Sequence, residues 1–117
     1  MKFLLFLLIC ISTPICYGQD ALAPAVSTVQ AGDFAPGQLE AHYLKHGDQL
    51  GVHTQGQYLE RARALLNASP GKDVLEKIRP NGDVEHYKLS SGEFAVMTRS
   101  GRIRTYFKTD YFYWMRQ

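Results

Sequence analysis

The sequence predicts an α+β fold in which two N-terminal helices pack on a four-stranded antiparallel meander sheet. Three observations carry that expectation. Apolar residues recur at helical spacing between Leu39 and Leu65, and the spacing changes towards alternation after Gly71. Turn residues then punctuate the chain at Pro80-Asn81-Gly82-Asp83, at 89–92 and at Ser100-Gly101. Four strands at about ten-residue spacing make an antiparallel meander.

The first helix is expected from Pro36 or Gly37 to His46, stopping at Gly47. Leu39, Tyr43, His46 and Leu50 form its apolar stripe, with His42 at the stripe's edge. Thr54 opens a second helix, because its hydroxyl can take a free N–H of the first turn, and Gln57 is its capping-box partner. Tyr58, Ala62 and Leu65 face inward, Glu60, Arg61 and Arg63 outward, and Pro70-Gly71 ends the pattern. Residues 73–79 read as the first strand, and Asn81-Gly82 is a strong hairpin signal. Strands at 84–88, 93–99 and 102–108 follow. Along the last, Ile103, Thr105 and Phe107 should share one face and Arg104, Tyr106 and Lys108 the other. Such a sheet has one face to bury, and the two helices are what buries it.

Residues 1–18 read as a secretory signal. Lys2 supplies the positive start, FLLFLLICI the apolar stretch and Thr13-Pro14 its break, with cleavage expected after Gly18. The apolar run is too short to span a bilayer, so a secreted or periplasmic protein that leaves the membrane after cleavage is expected. Residues 19–36 read as a flexible N-terminal segment and 37–117 as one domain. Cys10 and Cys16 both fall in the signal, which leaves the domain without a disulfide or a Cys-based zinc site. Charge is uneven along the chain. From Gln19 to Pro70 acids outnumber bases, whereas Arg99, Arg102, Arg104 and Lys108 fall within residues 99–108 with no acid among them. That asymmetry permits a polyanion-binding face and equally a merely solvated strand.

His42 and His46, spaced i, i+4, share a helix face. The spacing leaves three readings open: histidines packed at a helix edge, two zinc ligands, or an acid/base pair. The metal reading is the weakest, because a closed site needs four ligands and only His53, His86 and scattered carboxylates remain. Histidine is the side chain that both takes and gives a proton near neutral pH. Lys45 would repel a proton from a neighbouring histidine or hold a phosphate, or it is simply solvated. Thr105 is either a β-branched filler or a hydroxyl aimed at a ligand. Arg99, Arg102 and Arg104 could grip phosphates through forked bonds. The aromatic run from Tyr106 to Trp114 offers stacking surfaces for unpaired bases, with Phe107 and Trp114 expected in the core. Asn67-Ala68-Ser69 matches a glycosylation pattern that is frequent by chance.

HYLKHG at 42–47, the Tyr-Leu-containing helix, IRPNGDVEHY at 78–87 and GEFAVMTRSGRIRTYFK at 92–108 together resemble a known group. They are similar to the C-terminal toxin domains of bacterial polymorphic and contact-dependent toxins. Within these the chain resembles the colicin-type tRNase group of the barnase–EndoU–colicin–RelE superfamily, over about residues 42–114. The resemblance implies helices followed by a four-stranded sheet, and endoribonuclease activity without metal or other cofactor. It implies attack by the 2′-hydroxyl on the adjacent phosphorus, leaving a 2′,3′-cyclic phosphate. Under it, His42 and His46 are the acid and base, Lys45 and Arg104 stabilise phosphate charge and Thr105 orients the phosphate. Arg99, Arg102 and Lys108 hold the flanking backbone, and Tyr106 contacts the RNA. RNA, tRNA included, is the implied substrate, a cognate immunity protein the implied partner, and a monomeric toxin or effector the implied form. Where the group carries proline after the strand-four lysine, this chain has Thr109. The competing expectation is a non-catalytic exported module that grips an anionic partner through the basic strand 99–108.

Overall fold

The computed structural model describes residues 29–117; the expected signal segment lies outside the described residues. Two helices, α1 (Gln38–Leu50) and α2 (Gln55–Leu66), precede four strands, β1 (Val74–Ile78), β2 (Val84–Lys88), β3 (Glu93–Met97) and β4 (Ile103–Lys108). The strands form one sheet in the order β1-β2-β3-β4, each pair antiparallel. This is the α+β arrangement expected.

The first helix does not stop at Gly47. It runs on to Leu50 and ends at Gly51, whose φ of 69° is the left-handed conformation that closes a helix cheaply only at glycine. Gly47 is glycine for a different reason: a Cβ there would lie 2.9 Å from the Tyr43 ring, which packs back along the helix. The extra turn brings Gln49 into play. Thr54 caps α2, its hydroxyl accepting the Gln57 N–H at 3.0 Å. Gln57 Oε1 in turn accepts from His53 N–H at 2.8 Å, one residue earlier than a capping box would place it. Tyr58, Ala62, Leu65 and Leu66 form the buried face of α2.

Two features of the sheet differ from the alternation expected. Val96 pairs with Thr105 but Met97 pairs with Ile103, so β4 carries one extra residue, a bulge at Arg104. The bulge resets the faces. Ile103 and Tyr106 both join the core under the helices, while Thr105 and Phe107 lie on the opposite side. That opposite side is not left to water. A short third helix, α3 (Tyr111–Met115), which alternation did not predict, follows the sheet and is capped by Asp110, whose carboxylate accepts the Tyr113 N–H at 2.8 Å. It lays Trp114 against Tyr87 with ring centroids 5.8 Å apart and under the Lys77 ammonium, 4.3 Å from the ring centre. The sheet therefore buries both faces, one under α1 and α2 and the other, around Tyr87, Phe94 and Val96, under α3.

Packing begins ahead of α1. Phe34 is 4 % exposed and forms a parallel bridge with Ile103, whose N–H donates to Asp33 O at 2.9 Å. Asn67 Oδ1 accepts the Ala31 N–H at 2.8 Å, so the side chain of the glycosylation-like triplet fastens this segment to the end of α2. Residues 31–34 are thus part of the packed unit and cover the start of the β4 edge.

Candidate active site

The remaining length of the β4 edge is covered by α1. Gln49, on the turn that continues beyond Gly47, accepts the Lys108 backbone N–H through Oε1 at 3.0 Å. That bond satisfies an otherwise open edge donor and sets the helix against the strand. The face of α1 bearing Ala41, His42, Lys45 and His46 then looks across at Thr105 and Phe107 on β4 and Tyr113 on α3. Between them lies an open cavity of about 440 Å³.

Each histidine is backed by an aromatic ring. His42 lies 5.1 Å from Phe34 and His46 is stacked on Phe107 at 5.2 Å, with 6.1 Å between the two imidazole centroids. Partial burial against these rings penalises the charged form, and both imidazoles sit below their ordinary pKa of 6.5. For His42 the charges of His46 and Lys45 add to that desolvation. For His46 Lys45 adds to it, while a hydrogen bond with Gln49 opposes it. Gln49 is therefore both a tie between helix and strand and the group that most favours a proton on His46. His42 Nδ1 is sealed from water with no hydrogen-bond partner among the described residues, so that ring exchanges protons with a ligand only through Nε2.

Of the residues expected at the site, His42, Lys45, His46 and Thr105 line one cavity, although the helix and strand that carry them are 59 residues apart where Gln49 meets Lys108. Arg104 does not join them on its lining. From the bulge its Nε donates to Asp83 Oδ2 at 2.7 Å, and Asp83 also lies 3.9 Å from Arg79 Nη1. The Arg104 Nε is held by that carboxylate, while the side chain stays about half exposed, 52 %. Arg99 and Arg102 are exposed around the β3–β4 turn, and Arg99 Nη2 reaches Asn81 O at 3.3 Å. Lys108 is exposed at the far end of β4. Tyr106 is a correction: its ring is fully buried between α2 and the sheet. Its hydroxyl donates to Glu93, and its carbonyl accepts from the Tyr58 hydroxyl. It braces the core and presents no surface to RNA.

Sequence reasoning missed one contributor, Gln49, and named another, Tyr113, as a stacking ring without placing it beside the histidines. Gln49 stands i+3 from His46 and would have been placed on its face had the helix been carried past Gly47. Tyr113 reaches the cavity only because Asp110 starts α3; an Asp three residues before it was the available signal. Glu85 shares a cross-strand row with Val96 and Thr105 but does not line the cavity. It is fully buried with Oε2 paired to Arg79 Nε and Oε1 unpartnered among the described residues. Thr109, standing where proline is usual in the resembling group, donates its N–H to Gly92 O at 2.8 Å, a bond proline lacks.

A wider groove of about 670 Å³ lies at the α1–α2 turn, lined among others by His53, Glu60 and Arg61. It contains no paired histidines. Chemistry rather than volume singles out the smaller cavity. No protein-family model matches the chain, and no curated protein matches it in sequence. Among the described residues no helix is long and apolar enough to cross a membrane, and no group of three or more His, Cys, Asp or Glu is arranged to hold a metal ion.

Proposed function

We propose that this chain is an exported endoribonuclease, a toxin or effector acting on RNA such as tRNA, that cleaves without a metal ion. The observation that supports it most is the cavity that gathers two half-buried imidazoles, an ammonium and a hydroxyl from distant segments. One imidazole takes the proton of a ribose 2′-hydroxyl as its oxygen attacks phosphorus. The other gives a proton to the departing 5′-oxygen, leaving a 2′,3′-cyclic phosphate and a 5′-hydroxyl end. The Lys45 ammonium and the Thr105 hydroxyl face the negative charge that builds on the phosphorane oxygens. Arg99, Arg102 and Lys108, which make no salt bridge among the described residues, steer the RNA backbone. The resemblance of the 42–47 and 92–108 segments to toxin RNases points the same way, and by that analogy a cognate immunity protein would cover the cavity.

Incubating the purified protein with total tRNA in EDTA tests this reading. Cleavage that survives chelation and leaves cyclic-phosphate ends is the expected result; intact RNA sinks it. The same unpaired cations favour a second reading, a module that binds polyanions without chemistry. That reading expects salt-sensitive RNA binding, with log affinity falling linearly in log salt, and no effect of replacing either histidine.

The depressed imidazole pKa values also fix a pH profile. Transfer needs one neutral and one protonated ring, a state most populated between the two pKa values, and both lie below 6.5. As pH rises through 7 the proton donor is lost, so kcat/KM is expected to peak on the acid side of 6.5 and fall towards pH 8. A maximum above pH 7 would assign the acid to some other group.

A further inference from the structure

One wall of the cavity, beside His46, is aromatic, and its rings take no part in proton transfer. Phe107 and Tyr113 meet edge to face with centroids 5.5 Å apart, and Phe107 is stacked on His46. Both rings are half-buried, so each keeps an accessible portion beside the imidazole pair. Phe94 supports them from the core side, its ring 5.3 Å from Phe107 and 5.4 Å from Tyr113, which holds the pair rigid. No charged group other than Lys45 and the histidines lines the space. An uncharged corner of this kind, built of two rings at 78° to one another, offers a ring face on which a planar aromatic ligand stacks and is indifferent to simple phosphates.

Resting on the nuclease reading, we propose that Phe107 and Tyr113 form a nucleobase subsite, which takes the base of the nucleotide whose 2′-hydroxyl is attacked. The base is joined to the same ribose that carries the attacking oxygen. With that oxygen at an imidazole and the phosphate at Lys45, the base falls within one sugar's reach of the histidines, which is where the aromatic wall stands. A base stacked and paired inside a duplex cannot enter a pocket walled by α1 and α3, so the substrate is RNA that presents an unpaired nucleotide, as in a loop.

The test compares dinucleoside monophosphates with 2-hydroxypropyl 4-nitrophenyl phosphate, which carries the hydroxyl and the phosphodiester but no base. Tyr113→Leu keeps apolar volume over Phe94 while removing the π face. It is expected to lower kcat/KM on the dinucleotides roughly ten- to a hundredfold more than on the base-free ester, the range that loss of one base–aromatic stack produces. Tyr113→Phe is expected to recover most of that difference. Equal losses on both substrates would overturn the subsite, since Tyr113 would then only support the histidines. If the unaltered protein cleaves neither small substrate, the subsite is judged by titration with adenosine 3′-monophosphate against ribose 5-phosphate, and the nuclease reading falls only if tRNA is left intact as well. Tyr113 ring resonances that move with the nucleotide alone support base binding; resonances that move with neither, or equally with both, overturn it.

Discussion

His46→Ala is expected to reduce RNA cleavage by about 10²- to 10⁴-fold, the usual worth of a positioned proton-transfer group, while leaving the fold intact. The imidazole is only half-buried and lies at the edge of the core, so its removal opens the cavity wall without emptying the interior. His46 is favoured over His42 as the more sensitive position. It stacks on Phe107 and in its charged form donates a hydrogen bond to Gln49, which favours the proton there, so His46 is assigned the proton-donor role. His42, with one nitrogen sealed and no partner opposing its desolvation, is suited to accept a proton through Nε2. Single-turnover cleavage assays on both alanine variants, each checked by circular dichroism, measure the effect. A loss below tenfold in a folded His46→Ala protein would remove this residue from the chemistry.

The largest expected effect on stability belongs to a histidine that does no chemistry. His86 is 2 % exposed on β2, with Nδ1 2.8 Å from the Leu65 carbonyl and Nε2 2.7 Å from Glu76 Oε2. Leu65 lies in the last turn of α2, where its carbonyl otherwise accepts the Ala68 N–H at 3.3 Å, so the ring gives it a second, shorter bond and reaches the β1 carboxylate through its other nitrogen. One side chain thereby ties α2, β1 and β2 together. His86→Ala removes the shorter of the carbonyl's two bonds, leaves Glu76 without its buried partner and enlarges a void of about 70 Å³ already beside the ring. Replacing a buried ring by alanine costs about 3 kcal/mol through the cavity it leaves. Much of the stability of a domain this size is at stake, since such domains unfold for about 5–15 kcal/mol. Urea midpoints of the two proteins measure it, and a shift worth less than about 1 kcal/mol would show that the network is redundant.

What was legible in the sequence follows physical range. The two helices, the four strands and the Asn81-Gly82 hairpin are short-range signals, and the structure has all of them. Misreadings came where a long-range contact overrode a local rule. Gly47 looked like a helix stop because glycine usually closes helices, but its missing side chain makes room for the Tyr43 ring. Tyr106 looked like a surface aromatic because strict alternation put it beside Arg104, and one bulged residue moved it into the core. Bulges leave no periodic trace, and neither does the Asp83 carboxylate that claims Arg104. The helix half of the candidate site could be read because the histidine spacing is itself local. Its aromatic half could be read only as a run of rings from Tyr106 to Trp114; which of them meet the histidines could not, since Tyr113 arrives through a helix of five residues, too short to show a period.

Gln49 and Lys108 meet across 59 residues of chain, and with them the helix histidines meet the last strand. Contacts so distant in sequence close large loops, which puts them among the slower events of folding. Until they form, His42 and His46 face nothing: no threonine, no aromatic wall, no enclosed phosphate. A chain still emerging from synthesis, or held unfolded for passage through a membrane, is chemically silent under the nuclease reading. Under that reading the protein would be harmless to whatever makes it for as long as it remains a thread, and would acquire its chemistry only on reaching its native topology.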